Sequence, residues 1–438
     1  MSPAKYTFDT TADPDCVNDY VVFALNTAGS ATQANIVGFN QLYRSGASPT
    51  PGLCGTGNPD VLFAYNVSTA GGTLATSPIL SLDGTKIAFV ESGGGAATFH
   101  VLTWAHEGAI TTPVTPTPAQ MVSIPYGNST NTRSSPWIDF KNDIVYVGSN
   151  NGRLYKFTGV FQGTPTLAGA PWPINIGAGA ILSAPVLDRI TGNIFVGDGQ
   201  GRLDTVNVVA PGAIQRLAVG QAGATSAAVV DGPMLDSLSG TVFAVSPNNG
   251  ASAVVVEAST SSLAAPIATG QIGLGASGGT AMTIYDGAFD NNYFTSPSAG
   301  SLVVCGTGPA DTSPYLYTFT FSGTTLQTPA ASAVPILTST LAHCSPITEF
   351  FNPNVNAGSG GTDFFFFGMT RDCFPPATTG CVMSRPSVGA VPIPIRENGG
   401  TSAIVVDNQS TASQASSIYF TNIAGNGNAV KLTQDGLQ

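Results

Sequence analysis

The sequence predicts an all-β fold, a single closed β-propeller, on three observations. A short first-strand signal recurs eight times along the 438 residues. Each copy is followed by a second apolar strand, a Gly- or Asn-rich turn and a third strand, which is the repeating unit of a propeller blade. Amphipathic helical runs are nearly absent, while 52 Gly and 31 Pro punctuate short stretches of Val, Ile, Phe, Tyr and Thr.

The clearest copy of the unit is SSPWIDFKNDIVYVGSNNGRLYKF, Ser134–Phe157. It reads as a strand after Ser-Pro, a second strand IVYVGS, the turn NNG and a third strand RLYKF. The first-strand signal is a hydroxyl residue, often with Pro or Ala beside it, then apolar residues ending near an Asp. It occurs as SPAKYTFD, SPILSLD, SPWIDF, SAPVLD, SAAVVD, TAMTIYD, SPITEFF and SAIVVD, so that blades start near residues 2, 77, 135, 183, 226, 280, 345 and 402. The copy at Thr280 is off register by one residue.

Second strands follow as DYVVFALN, KIAFVE, IVYVGS, NIFVGD, TVFAVS, LVVCG, DFFFFGM and SIYFTN. Third strands include ANIVGF, FHVLTW, RLYKF, RLDTVNVV, YLYTFTF and AVKLT, and more polar fourth segments include APWPINI and AVPILTS. Starts about 40 to 75 residues apart suit four-stranded blades with variable loops. Residues 1–438 thus form one domain of eight four-stranded blades, with seven as the alternative. The last unit runs out soon after its third strand, so its blade is closed by, or lacks, a terminal strand. An outer strand upstream of Met1 in a longer native chain is the expected completion. FFFF at Phe364–Phe367 is read as a second strand buried between two blades.

Charge narrows the partners. With 14 Lys and Arg, a net charge of −11 and a pI near 4.5, phosphate-rich nucleic acid is not an expected partner. No apolar run reaches the roughly 18 residues of a membrane helix, so membrane insertion is not expected. No signal segment is visible, because Met1-Ser2-Pro3 leads straight into a strand.

Six cysteines permit fifteen complete pairings, and blade topology selects one. Loops after strands one and three share one face of a propeller; those after strands two and four share the other. Cys16 lies in a one-to-two loop and Cys54 in a three-to-four loop of the same unit. Cys305 ends a second strand and Cys344 begins the next unit's first strand, both on the opposite face, while Cys373 and Cys381 flank one two-to-three hairpin. The predicted bridges are Cys16–Cys54, Cys305–Cys344 and Cys373–Cys381, which place the chain in an oxidising compartment, extracellular or periplasmic. With no CxxC and with His100, His106 and His343 scattered, no metal site is assigned.

The hairpins VYVGSNNGRLYKF and IFVGDGQGRLDTV resemble the blade repeat of the quinoprotein-dehydrogenase-like propellers, and the resemblance extends over most of the chain as a repeat pattern. It implies the propeller fold, and it is also similar to secreted bacterial propellers that lack the quinone-binding residues. Enzymes of that superfamily stack a quinone between a Trp and an adjacent-cysteine disulfide, with calcium and a catalytic Asp. Here no two Cys are adjacent, and Trp104, Trp137 and Trp172 have no such context, so quinone-dependent oxidation is disfavoured and no cofactor is assigned.

No GxSxG elbow occurs and the three His lie apart, so no catalytic residue is assigned. Asp198 to Asp204, DGQGRLD, is the one run that could take calcium, yet it lacks the D-x-D-x-D-G spacing; a tight hairpin turn with Gly at positive φ is the favoured reading. The candidate ligand site comes from topology. Ser2, Ser77, Ser135, Ser183, Ser226, Thr280, Ser345 and Ser402 each begin an innermost strand and are expected to ring the mouth of the central channel. Loops on that face add Glu91, Asn150, Asn151, Asp198, Arg371, Asp372, Arg396 and Glu397, together with His343. Hydroxyls, amides and a few charges there suit a polyhydroxy ligand; the competing expectation is that each hydroxyl caps its own turn.

Three functions follow from this. The first is a secreted binding or scaffold propeller presenting loops to a glycan, a surface polymer or a protein. The second is a channel-mouth enzyme, a lyase or hydrolase on a carbohydrate or small molecule. The third is a structural subunit of an extracellular assembly that self-associates through the open edge of its last blade.

Overall fold

Each repeat's second strand is its most apolar because it packs against neighbouring blades on both faces. Tyr20–Ala24 and Thr241–Ser246 are buried at every residue, and Lys86–Glu91 and Asn193–Gly197 at all but the first. The computed structural model describes residues 1–8, 14–46, 48, 50–69, 71–93, 95–127, 132–177, 180–280, 282–356, 358, 360–375, 378–387, 393–408, 415–424 and 427–433.

The chain forms eight antiparallel sheets, each with its strands in sequence order from the channel outward. Blade 1 is Ala4–Tyr6, Tyr20–Ala24, Ile36–Asn40 and Asp60–Tyr65; blade 2 is Ile79–Leu80, Lys86–Glu91, Thr98–Thr103 and Met121–Pro125. Blade 3 begins with Trp137–Asp139, Ile144–Val147 and Arg153–Thr158, whose outer side pairs with both Thr166–Leu167 and Ile174–Asn175. Blade 4 is Val186–Asp188, Asn193–Gly197, Arg202–Asn207 and Gln215–Ala218; blade 5 is Met234–Asp236, Thr241–Ser246, Val254–Ser259 and Ala268–Gln271. Blade 6 starts with Ala288–Phe289, Ser301–Thr307 and Pro314–Ser322, flanked by Thr325–Leu326 and Ser332–Pro335. Blade 7 is Thr348–Asn352, Thr362–Phe374, Thr379–Pro386 and Ile395–Arg396, with the Phe364–Phe367 run in its second strand. Blade 8 has three strands among the described residues, Val405–Asn408, Ser416–Thr421 and Ala429–Thr433. Among the described residues the helical elements are Asn291–Thr295 and short 3-10 turns such as Thr225–Ala227.

The fold is therefore the eight-bladed, all-β propeller, and two of its innermost strands start later than expected. Ser226 lies in the 3-10 turn Thr225–Ala227, and blade 5 begins only at Met234; likewise Thr280 precedes Ala288, the start of blade 6. Both SAAVVD and TAMTIYD end in Asp-Gly, at Asp231-Gly232 and Asp286-Gly287. That turn signal breaks the run before the strand resumes, so Ser226 and Thr280 do not begin innermost strands.

The two glycines of the template hairpins show why the turns are fixed. Gly152 (φ 77°) and Gly201 (φ 80°) adopt left-handed backbone. A Cβ on Gly152 would stand 1.7 Å from the Gly177 carbonyl oxygen, and one on Gly201 2.9 Å from Ala227 Cβ.

The three bridges are Cys16–Cys54, Cys305–Cys344 and Cys373–Cys381, with Cα separations of 5.7, 6.4 and 6.0 Å. The ring closes by packing: Val21, Phe23, Leu42 and Tyr43 of blade 1 form one cluster with Ala415 and Tyr419 of blade 8. Lys5 on the first innermost strand pairs with Asp407 on the last at 3.3 Å.

Candidate functional site at the channel mouth

The Ser residues that begin innermost strands lie level with the ends of the second strands, and the structure uses most of their hydroxyls internally. The Gly197 N–H donates to Ser183 Oγ at 2.9 Å while the Ser183 N–H donates to the Gly197 carbonyl at 2.9 Å. Ser345 with Gly368 (2.8 and 2.8 Å) and Ser402 with Thr421 (3.0 and 2.8 Å) repeat this two-way clasp. Each of these hydroxyls then donates to the next residue's carbonyl, Ala184, Pro346 and Ala403 respectively. In the template blade the clasping residue is Ser134, whose Oγ accepts from Gly148 N–H at 2.7 Å.

Ser135 instead joins blades. Its Oγ accepts the Ser77 N–H at 3.0 Å, and Ser77 Oγ accepts the Ser2 N–H at 2.7 Å, so hydroxyls link blades 1, 2 and 3 around the channel wall. Ser226 is exposed and its Oγ accepts from Asn248 Nδ2 at 3.0 Å.

A cavity of about 560 Å³ opens on this face over blades 7 and 8. Of the predicted residues it brings together His343, Ser345 and Ser402; the other predicted loop residues lie outside its lining. Because Ser345 and Ser402 are already engaged, the groups free to meet a ligand are different ones. The His343 imidazole, the Asn26 amide and the Thr283 hydroxyl line the cavity with no side-chain hydrogen bond among the described residues, and Thr370 Oγ1 accepts only the His343 N–H, at 3.0 Å. Burial pushes the His343 pKa down, so its ring is neutral near pH 7. Met282 and Ile423 add apolar surface, and among the described residues no Asp, Glu, Lys or Arg side chain lines the space.

The charged residues predicted for the mouth serve other contacts. Glu91 is buried inside blade 2, where its carboxylate accepts the Thr69 N–H (3.0 Å), the Thr69 hydroxyl (2.7 Å) and the Gly72 N–H (2.9 Å), clasping the outgoing loop. Despite the cost of burial, these bonds and that from His100 hold its pKa down at about 2. Asp198 caps its own hairpin, accepting from Gln200 and Arg202 N–H at 2.8 and 2.9 Å. Asp204, the other end of the run considered for calcium, pairs with Arg216 Nε at 2.8 Å, and burial followed by the charge of Asp198 lifts its pKa to about 7.

Arg371 and Asp372 face each other at 3.3 Å, and Ser339 Oγ donates to Asp372. Arg396 sits exposed on an outer strand, its guanidinium 5.1 Å from the Phe374 ring centroid. Glu397 touches the site indirectly, accepting from Asn422 Nδ2 at 2.9 Å, and Asn422 lines the cavity. Residues at strand ends alternate between the channel and a neighbouring blade, so membership of a loop on the right face does not place a side chain at the mouth.

Sequence reasoning passed over two groupings. Asp231 and Asp286 close the two Asp-Gly-terminated runs. Burial raises both carboxyls, and the charge of Asp231 raises Asp286 further. The second lies in blade 2, where His100 stands between Glu91 and Ser123. The signal for it was strand alternation, since Glu91, His100 and Ser123 lie on one face of three consecutive strands.

No protein-family model matches the sequence, and no curated protein matches it significantly. Solved structures share the fold. The chain is similar to BamB from Moraxella catarrhalis at 12% identity and a TM-score of 0.51, covering 98% of this chain and 97% of that one. It is also similar to the C-terminal WD40 domain of Sif2 at 9% identity and a TM-score of 0.54, covering 95% and 93%. Both likenesses establish the β-propeller. Three disulfides fit an extracellular or periplasmic protein.

Proposed function

We propose that this chain is a secreted or periplasmic binding and scaffold propeller whose channel mouth takes a neutral polyhydroxylated ligand, such as a glycan or surface polymer. The observation that carries the reading is the 560 Å³ cavity whose described lining side chains offer uncharged donors and acceptors, with Met282 and Ile423 beside them. A sugar presents hydroxyls and apolar C–H faces together, and neutral hydrogen bonds beside apolar surface recognise that combination. With no carboxylate among the described lining residues, the cavity gives little support to a lyase or hydrolase at the mouth. The hairpin resemblance supports kinship with quinoprotein-like propellers that have no quinone site, and the likeness to BamB in fold is in keeping with it.

Titration of the oxidised full chain with ligands selected on a glycan array tests this. Ile423 lines the cavity and is 54% exposed, so Ile423→Trp fills it without disturbing the core. Binding is expected to be lost in Ile423→Trp and kept in Arg396→Ala; unchanged binding in Ile423→Trp overturns the site.

A second reading concerns the edge of blade 8. Its third strand Ala429–Thr433 borders a groove of about 310 Å³ shared with blade 1, lined by Phe39, Leu42 and Lys431 among others. Among the described residues that strand has no outer neighbour in its sheet, and such an edge pairs readily with another chain. Light scattering that rises with concentration supports self-association there, and a strictly monomeric protein counts against it.

A further inference from the structure

Blade 2 carries a row of polar side chains away from the channel-mouth cavity. Its strands Lys86–Glu91, Thr98–Thr103 and Met121–Pro125 run antiparallel and adjacent, and the register sets His100 directly opposite Ser123 and Glu91 opposite Thr98. Strand alternation therefore puts Glu91, His100 and Ser123 on one face, with Glu91 diagonal to His100. His100 Nδ1 lies 2.9 Å from Ser123 Oγ, and His100 Nε2 lies 3.1 Å from Glu91 Oε2.

The chemistry of the partners sets the tautomer. A carboxylate only accepts, so Nε2 carries the proton and donates to Glu91, which leaves the Nδ1 lone pair facing the Ser123 hydroxyl. The imidazole is fixed on its faces as well, since Phe89 stacks on it with centroids 5.1 Å apart. Glu91 in turn is held by Thr69 and Gly72. Glu91 and His100 are buried, whereas Ser123 is exposed on the blade's outer strand. Here the acid and the base are desolvated and the hydroxyl meets solvent. The ladder bonds Thr103 N–H to the Gln120 carbonyl and Tyr126 N–H to the Ala97 carbonyl alternate past His100 and Ser123. The Ser123 N–H consequently points out from the blade edge, where it can donate to an incoming carbonyl oxygen.

We propose that Ser123 is an activated nucleophile toward carboxylic esters, with His100 as its general base and Glu91 as the residue that positions the imidazole. Ser123 Oγ attacks the ester carbonyl as its proton passes to His100 Nδ1. The C–O bond to the alkoxide breaks, and the alkoxide leaves as the alcohol with that proton. Water then attacks the acyl-serine through the same base, releasing the acid and restoring Ser123, so the net change is ester plus water to acid plus alcohol.

A fluorophosphonate probe on the oxidised full chain tests this, read by intact mass and peptide mapping. Expected is one adduct, on Ser123, formed with loss of fluoride and absent in Ser123→Ala. His100→Gln slows labelling about a hundredfold or more, the contribution of a general base. Ser123→Cys, an exposed change that retains buried His100 and Glu91, supplies the second readout: its thiol alkylates with iodoacetamide well below the pH at which a free cysteine reacts. A wild-type chain that takes no label at Ser123 overturns the proposal, as does a Ser123→Cys thiol whose alkylation follows the pH profile of a free cysteine.

Discussion

Lys5 Nζ sits 3.3 Å from Asp407 Oδ2, with both side chains nearly shut off from solvent at 8% and 3% exposure. This pair joins the innermost strand of the first blade to that of the last, where the described residues supply blade 8 with three strands. Removing one partner of a buried pair leaves the other charge less well compensated in a poorly solvated site. Lys5→Met is expected to lower unfolding free energy by about 3 kcal/mol, the low end of the usual range, because Lys431 also lies in the field of Asp407. Denaturant titration checks it, and Lys5→Met with Asp407→Leu is expected to recover most of the loss. Equal losses in the single and double variants would mean that the pair does not close the ring.

The clasp between Ser345 and Gly368 separates buried clasping hydroxyls from exposed ones. Ser345 is buried and accepts the Gly368 N–H at 2.8 Å, whereas Ser226 is exposed. Ser345→Ala leaves a buried N–H unsatisfied and is expected to cost about 1–3 kcal/mol. Ser226→Ala is expected to change stability by less than about 0.5 kcal/mol. Thermal melts of the two variants check both, and equal effects would sink the distinction.

The fold was legible because a propeller writes its period into the chain: SPWIDF and SAPVLD each mark an innermost strand, and IVYVGS and NIFVGD each mark a buried second strand. Topology alone was enough to pair all six cysteines. The site was less legible. The sequence places Glu91 and His343 on the same face, but Glu91 ends a second strand and turns into the blade, whereas His343 precedes an innermost strand and lines the cavity. Ser226 and Thr280 were misassigned because Asp-Gly closes an innermost-strand hairpin at Asp83-Gly84 and precedes the strand at Asp231-Gly232 and Asp286-Gly287. The same dipeptide serves both turns, and only the three-dimensional register tells them apart.

The disulfides should differ in worth by the loops they close. Cys16–Cys54 spans 38 residues and Cys373–Cys381 spans 8. On the chain-entropy account these correspond to roughly 4 and roughly 2.5 kcal/mol. Replacing each pair by Ser is expected to rank the variants in that order in denaturant midpoint. The reverse order would show that the hairpin bridge acts chiefly on the native state.

Stability should also fall toward alkaline pH, through Glu349. Burial, a hydrogen bond with Asp363 and the charges of Asp363 and Asp290 push its pKa up to about 8, against roughly 4.3 for a solvated glutamate. A raised carboxyl pKa gives stability that is fully present below the unfolded value and is lost as pH rises through the folded one. The loss attributable to Glu349 therefore falls between about pH 4 and pH 8. Glu257, with burial as its main cause, and Asp204, at about 7, act in the same direction. Glu91, held near 2, acts oppositely: its contribution is present above the unfolded value and fades as pH falls toward 2. Glu349→Gln keeps the shape and removes the titration. Its melting temperature is expected to exceed the wild type's at about pH 8 and to match it near pH 4. Parallel melting curves for the two proteins across that span would mean that Glu349 is already ionised in the folded chain.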